Sequence, residues 1–181
     1  MLGDSSDEHH LQITADAIKR LSPKLRIVHR EYPGMSVIQA ANELLGEVDT
    51  EYSVYIPDDD FLCTPALGQC AKFLELNPDY ASAHGLGVMF SLKTGTTSGE
   101  VAGFFHYRQG TLEDPTGYQR LERLFRNYYV TLFSMHRTET ARIVFRGIPG
   151  AFEWEIANEL LPCALSAVSG KAKELDCLYL I

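Results

Sequence analysis

The sequence lacks paired cysteines, long apolar runs and an excess of positive charge. Its four cysteines, Cys63, Cys70, Cys163 and Cys177, form no Cys-x-x-Cys pair and lie in apolar segments, which is typical of reduced thiols in a protein core. No stretch reaches the roughly 18 apolar residues of a membrane span. The first ten residues contain neither a basic leader nor an apolar stretch. We therefore expect a cytoplasmic protein without a transmembrane segment.

Positive charge is in deficit throughout the chain. Sixteen Lys and Arg residues stand against 24 Asp and Glu residues, which gives a formal net charge of −8 and an isoelectric point near 5.2. Nucleic acids and anionic membranes are bound through clustered Lys and Arg. The composition therefore argues against both partners, and any bound phosphate would need a metal ion or a local cationic pocket.

The chain is long enough, and apolar enough, to build one hydrophobic core. It has 181 residues, of which 45% are hydrophobic, and domains of about 100–200 residues are the usual unit. It contains no internal repeat, low-complexity tract or linker. The sequence thus predicts a single domain over residues 1–181.

The first half of the chain alternates between helical and strand-like segments. Apolar spacing and turn residues predict a helix capped by Asp4, Ser5 and Ser6 and ending at Leu21, a strand over residues 25–28, a helix after Ser36, a strand over residues 52–56 and a helix over residues 64–77. Such alternation is typical of a mostly parallel sheet covered by helices on both faces. Ligands of these sheets bind outside the carboxyl ends of the strands.

The second half is less regular. It predicts a strand over residues 81–92 interrupted at Gly85 and Gly87, a polar loop over 93–100, a strand over 101–108, a helix over 118–129, a strand over 130–135, a helix over 153–169 and a strand over 175–181. The class expected from both halves is α/β.

Three consecutive carboxylates, Asp58, Asp59 and Asp60, follow the apolar strand of residues 52–56. Crowded carboxylates raise one another's pKa unless positive charge lies between them. A hard cation such as Mg²⁺ or Mn²⁺ that bridges phosphate oxygens would satisfy them, and so would a solvated turn. If the strand continues, Asp58 and Asp60 point the same way and Asp59 points opposite. The residues alone leave both a metal site and a turn open.

The surroundings of the triplet carry a family resemblance. It stands in Thr50-Glu51-Tyr52-x-Val54-Tyr55-Ile56-Pro57-Asp58-Asp59-Asp60-Phe61-Leu62, followed by Pro65, Leu67 and Phe73-Leu74-x-x-Asn77-Pro78. This block resembles the central block of family 2-type glycosyltransferases with the GT-A fold, in the subset with a DDD metal motif. Asp4-Ser5-Ser6 resembles the Asp-x-Ser segment that follows the second strand of that fold. Weaker likeness continues through Arg120-Leu121, His136-Arg137 and Ser169-Gly170-Lys171.

The resemblance implies a GT-A-like three-layer sandwich with a mixed, mostly parallel sheet. It further implies a metal-dependent, inverting transfer of a sugar from a nucleotide-diphospho-sugar donor to a glycan, lipid or protein acceptor. The divalent cation, Mn²⁺ or Mg²⁺, would bridge the donor diphosphate. Asp60 and Asp58 would then be metal ligands, and Asp58, Asp59 and Asp4 would contact the donor, Asp4 at its base.

The resemblance also places a catalytic base near the start of the helix over residues 153–169. Its candidates are Glu153, Glu155 and Glu159, of which Glu155 is favoured over Glu153; acidic residues in a first helical turn also favour the helix dipole without any chemistry. His84, His106 and His136 are candidate extra metal ligands or buried structural residues. The stripe of Arg120, Arg123 and Arg126 could meet a diphosphate or form a solvated face.

One departure from the family pattern leaves a second function open. The chain begins where the second strand of the GT-A fold ends, which predicts an N-terminally incomplete domain. A truncated, non-catalytic binding or interaction domain is therefore the alternative to an active transferase. A metal-dependent phosphohydrolase that uses the Asp triplet is a third reading. The sequence does not decide whether the protein forms a homo-oligomer.

Overall fold

The computed structural model describes residues 1–93, 99–146 and 155–181. The elements in chain order are β1 (Leu2–Asp4), α1 (Glu8–Leu21), β2 (His29–Glu31), α2 (Val37–Glu47), β3 (Tyr52–Val54), α3 (Thr64–Leu76), β4 (Tyr80–Leu92), β5 (Val101–Tyr107), α4 (Gly117–Arg126), β6 (Met135–Arg137), α5 (Thr138–Arg146), α6 (Glu155–Ser169) and β7 (Lys171–Leu180). The α/β class expected from the sequence is confirmed.

The described strands form two sheets. In the smaller one, β1 and β2 are parallel, with Leu2 opposite His29. In the larger one the order is β3-β6-β4-β5, and β7 runs parallel to β4 along its other edge. The β3–β6, β4–β6 and β4–β5 pairs are antiparallel. The larger sheet is therefore mixed, as expected, but only one of its four described strand pairs, β4–β7, is parallel.

The long strand β4 organises the larger sheet, and it runs without interruption through Gly85 and Gly87. A Cβ atom on Gly85 would lie 2.2 Å from the Cys177 carbonyl oxygen of β7, and one on Gly87 would lie 2.9 Å from the Tyr107 ring of β5. The two glycines thus permit close approach of neighbouring strands. The strand therefore continues through the predicted interruption, but its register with β7 shifts between His84 and Gly87.

Helices cover both faces of the larger sheet. On one face, Leu74 of α3 packs in a cluster with Tyr179 of β7, and both are fully buried. A second cluster joins Leu124 of α4, Phe145 of α5 and Cys163 of α6. The helix–sheet–helix layering expected from the sequence is therefore present.

Helix α2 begins as predicted, because Ser36 and Gln39 form a reciprocal capping box. The start of α1 was predicted wrongly: its N-cap is Asp7, which accepts a hydrogen bond from the His10 amide at 3.0 Å, and not Asp4, Ser5 or Ser6. The strand predicted over residues 25–28 is wrong, because residues 24 and 25 form a turn on the end of α1 and β2 spans His29–Glu31 instead. Likewise, β6 begins at residue 135 because a turn joins Ser134 to Thr131.

Helix α5 has no counterpart among the elements predicted from the sequence. Its buried residues Ala141, Val144 and Phe145 follow helical spacing, but the helix spans only nine residues directly after a strand. All four cysteines carry free thiols, and Cys70 and Cys163 are buried as expected. Within residues 1–93, 99–146 and 155–181, no helix has the length and apolar character needed to cross a membrane.

Candidate functional site

The Asp triplet lies in a turn after β3 rather than on the strand itself, because β3 ends at Val54. The alternation predicted for Asp58 and Asp60 along a continuing strand is therefore wrong. The segment after the triplet is held by the end of β7. The Phe61 amide donates to the Ile181 carbonyl at 2.8 Å, and the Ile181 amide donates back at 2.9 Å. The triplet thus sits on a backbone fixed by a strand distant in sequence.

The charges of the triplet are not balanced by the described part of the chain. Asp58 and Asp59 are exposed, whereas Asp60 is half-buried. Burial raises the pKa of the Asp60 carboxyl, and the neighbouring charge of Asp59 raises it further. Within residues 1–93, 99–146 and 155–181, none of the three carboxylates accepts a hydrogen bond or forms an ion pair. Asp58 and Asp59 are therefore solvated, and Asp60 is the carboxylate of the triplet that is partly removed from water.

The donor set of the triplet fits a hard divalent cation that is completed by other ligands. Carboxylate oxygens suit Mg²⁺ and Mn²⁺, and Mg²⁺ usually takes one or two carboxylates together with substrate phosphates and water. Among the described residues, no three His, Cys, Asp or Glu side chains converge as a metal-binding group. His84 and His136 are buried and join no such group there. The triplet therefore does not form a closed metal site by itself.

Tyr107, at the end of β5, links the triplet to helix α6. Burial raises the pKa of the Tyr107 hydroxyl to about 12, and the nearby charges of Glu159 and Asp60 contribute. Asp60 and Glu159 therefore both act on Tyr107 through their charge. Tyr107 could not be identified from the sequence, because nothing in the local pattern distinguishes it from the other eight tyrosines.

In helix α6, a second tyrosine, Tyr128, holds the carboxylate of Glu159 in place. The Tyr128 hydroxyl donates to Glu159 Oε1 at 2.7 Å. Burial, followed by that hydrogen bond, raises the pKa of Tyr128 above its usual range. Glu155 is the first residue of α6 and lies one helical turn before Glu159. Glu153 lies outside the described residues.

Asp4 ends β1 in the smaller sheet and is 8% exposed. Its carboxylate accepts a hydrogen bond from the Ser6 amide at 3.0 Å and lies 3.6 Å from His29 Nε2. Burial acts to raise the pKa of Asp4, but hydrogen bonds from Ser6 and Thr14, with the charge of His29, outweigh it and lower that pKa. The described contacts do not bring Asp4 to the triplet.

The arginine stripe of α4 does not supply cations for a diphosphate. Arg120 is buried and donates to the carbonyl oxygens of Ala167, Asp114 and Val168 at 2.8–3.2 Å. Arg123 pairs with Asp114, and Arg126 pairs with Glu122. Neither of the two readings drawn from the sequence therefore describes Arg120, which anchors the end of α6.

A surface cavity of about 420 Å³ lies at the other end of β3, away from the triplet, between Glu51, Arg137 and Arg142. Both guanidinium groups are already used. Arg137 donates to the carbonyls of Tyr80 and Leu74, and Arg142 donates to that of Leu45. The cavity is not associated with the carboxylates of the candidate site.

Comparisons with known proteins reveal structural similarity only. Neither a family model nor a curated protein matches the chain. A crystal structure of residues 1–349 of S. aureus TarS matches 99% of this chain and 49% of that one, at 16% identity and a TM-score of 0.62. The same TarS segment in complex with UDP-GlcNAc matches 99% of this chain and 47% of that one, at 17% identity and a TM-score of 0.62.

The chain spans about half the length of these TarS structures. At this level of identity the likeness establishes the fold and not the activity. The GT-A-like α/β fold expected from the sequence is thereby confirmed.

Proposed function

We propose that the chain binds a nucleotide-diphospho-sugar and transfers its sugar, with inversion, to an acceptor hydroxyl in a reaction that depends on a divalent metal ion. The observation that carries this proposal is the Asp triplet, whose three charges have no partner in the described part of the chain. The shared fold supports it, because TarS has been crystallised with UDP-GlcNAc. A glycan, lipid or protein acceptor fits the same chemistry.

In this proposal Asp60 and Asp58 hold Mg²⁺ or Mn²⁺, and Asp58 and Asp59 also face the donor. Asp60 is the first ligand because its partial burial, beside Asp59, makes its charge the one in greatest need of a cation. When bound, the metal ion neutralises negative charge on the leaving diphosphate. Asp4 would contact the nucleotide base, for which it must exchange part of its contact with Ser6 or His29.

The general base would come from the start of α6, with Glu155 favoured over Glu153. The base removes the proton of the acceptor hydroxyl as the sugar transfers. The proximity of Tyr107 to both Asp60 and Glu159 supports an α6 start close to the triplet. Glu159 itself is occupied by the Tyr128 hydroxyl, which favours the turn before it as the source of the base.

Two substitutions test the assignment by separating binding from transfer. Calorimetric titration of UDP and GDP with Mn²⁺ should detect binding, and Asp60→Asn should weaken it by about 10–100-fold or more. Glu155→Gln should leave binding intact and slow transfer from a panel of nucleotide sugars by about 10²–10⁴-fold. Asp176→Asn, at an exposed position on β7, is the matched control and should change neither quantity. Unaltered metal-dependent binding in Asp60→Asn would refute the proposed metal site.

A non-catalytic binding domain is the second candidate function. Asp4 is buried and already accepts a hydrogen bond from the Ser6 amide, which favours this candidate. The contact proposed between Asp4 and the nucleotide base of the donor is then weak. In this case nucleotide or sugar would bind without turnover. Metal-dependent transfer that is lost in Glu155→Gln would exclude this candidate.

A further inference from the structure

Strand β5 presents an open edge of the larger sheet. It pairs with β4 along one edge, and no other strand of the described residues pairs with its second edge. The open edges of β1, β2 and β3 are only three residues long, whereas β5 has seven residues. The far edge of β7 carries bridges from Leu62 and Leu112. Among the described residues, β5 therefore has the longest open edge, whose unpaired amide and carbonyl groups could pair with a further strand.

Both faces of the β4–β5 hairpin carry exposed apolar side chains. Phe105 lies opposite Met89, and Phe104 lies opposite Phe90. Directly opposed residues share a face of the sheet, so one pair lies on each face. The side chains are 57%, 48%, 70% and 41% exposed, in the order named. Neither face of this hairpin is therefore covered by the layers of helices.

Apart from an irregularity near Val101, the edge lacks the features that keep edge strands unpaired in monomers. Such strands usually carry Lys, Pro or a bulge. The segment Val101-Ala102-Gly103-Phe104-Phe105 contains no charged residue and no proline. The register with β4 shifts only near Val101 and is regular from Gly103 to Tyr107. Most of the edge is therefore free to accept a strand.

The charge and area of this surface favour a second copy of the chain as its partner. Lys93 and Glu100, which flank β4 and β5, pair at 2.7 Å, so their charges offset each other and do not repel a second copy at this surface. A large side chain has an accessible area of roughly 200 Å² when it is fully exposed. At their exposed fractions, the four residues named above and Val101 together offer about 500 Å² of apolar surface. A stable interface takes about 800 Å² from each partner, and backbone pairing of the two edges would supply more.

We propose that β5 pairs antiparallel with β5 of a second copy, about a two-fold axis near Phe104, so that the larger sheets of two chains join. A strand that pairs antiparallel with its own copy satisfies two-fold symmetry, and the same surface then serves both subunits. Phe104 is the middle residue of Val101–Tyr107, so its ring would lie beside its symmetry mate. The inference is independent of the proposed enzymatic function.

Sedimentation velocity over a concentration series, with wild type, Phe104→Lys and Tyr118→Lys, tests the dimer. Wild type should be dimeric at micromolar concentration. Phe104→Lys sets like charges side by side at the axis and should raise the dimer dissociation constant about tenfold or more. Tyr118→Lys, at a position 74% exposed on α4, should remain dimeric. Both substituted side chains are exposed, so circular dichroism should show an unchanged fold.

Each other result overturns the proposal. A wild type that stays monomeric, or a Phe104→Lys variant that dimerises like wild type, excludes the β5 interface. Loss of the dimer in Tyr118→Lys assigns it to α4 instead. A monomeric wild type that binds phosphatidylcholine vesicles, and loses that binding in Phe104→Lys, assigns the hairpin to a neutral lipid surface. Hydrogen exchange adds a direct readout, because the amides of β5 should lose protection on dilution.

Discussion

Gly85 is the position where a single methyl group should separate the two strands that support the candidate site. It is buried in β4, and a Cβ atom there would lie 2.2 Å from the Cys177 carbonyl oxygen and 2.8 Å from Cys177 Sγ. The carbonyl belongs to the backbone of β7 and cannot rotate away as a side chain can. Gly85→Ala should therefore force β4 and β7 apart.

The expected magnitude follows from the distance. Carbon–oxygen contacts between strands are about 3.3 Å at their closest, so the strands must move by about 1 Å. Overpacking of a core costs about 1–3 kcal/mol, and a clash with rigid backbone belongs at the upper end. A loss near 3 kcal/mol is a large part of the 5–15 kcal/mol that stabilises a typical domain. Because the end of β7 pairs with Phe61, the turn of the Asp triplet should loosen as well.

Urea denaturation of wild type, Gly85→Ala and Gly68→Ala measures the effect. Gly68 is exposed in α3, and a Cβ atom there meets nothing within 4 Å. Gly68→Ala should thus stabilise the protein by about 0.5–1 kcal/mol, as expected for a helix interior. A Gly85→Ala variant as stable as wild type would show that β4 and β7 do not approach as described, and the reasoning would fail.

Three further predictions address buried and crowded charges. Arg120→Met should lower the free energy of unfolding by about 3 kcal/mol, because it leaves three backbone carbonyls without a donor. Arg123→Met removes an exposed ion pair and should lower the free energy of unfolding by less than about 1 kcal/mol. Urea denaturation of both variants measures the difference. Burial lowers the pKa of His136 from 6.5 to about 4, so between these pH values the unfolded chain binds a proton that the folded chain does not. The free energy of unfolding should therefore fall by about 3 kcal/mol as the pH drops from 6.5 to 4. In thermal melts, His136→Gln should flatten this pH dependence, and the exposed His9→Gln should not. Asp60→Asn should raise stability in a chelator by less than about 1 kcal/mol, because burial and Asp59 disfavour the Asp60 charge in the folded state, and a decrease in melting temperature would contradict this.

Local sequence rules were sufficient where the determining contacts are local. Ser36 and Gln39 lie three residues apart and cap α2 as predicted. The Asp triplet is contiguous, so its charge problem is visible in the sequence itself. The start of α1 shows the limit of such rules, since Asp4, Ser5, Ser6 and Asp7 all offer capping oxygens. Pairing of β1 with β2 involves Asp4, and the cap falls to Asp7.

Tertiary contacts decided the features that the sequence did not reveal. Arg120 was assigned to an exposed stripe because its spacing matches Arg123 and Arg126, yet its partners Ala167 and Val168 lie more than 40 residues away. Tyr107 likewise gains the charged neighbours Glu159 and Asp60, both more than 40 residues away, only in the folded chain. No periodicity within ten residues of either side chain could contain that information.

The triplet combines a rigid backbone with charges that nothing in the described chain neutralises. The pairing of Phe61 with Ile181 anchors the chain directly after the turn. Burial is the larger cause of the raised pKa of Asp60, and the charge of Asp59 adds to it. Asp58 and Asp59 are exposed, so water screens their charges. Asp60 is partly removed from water, and no further protein ligands converge on it among the described residues. In the proposed function, a divalent metal ion bound to a diphosphate would bring its own ligands to this carboxylate.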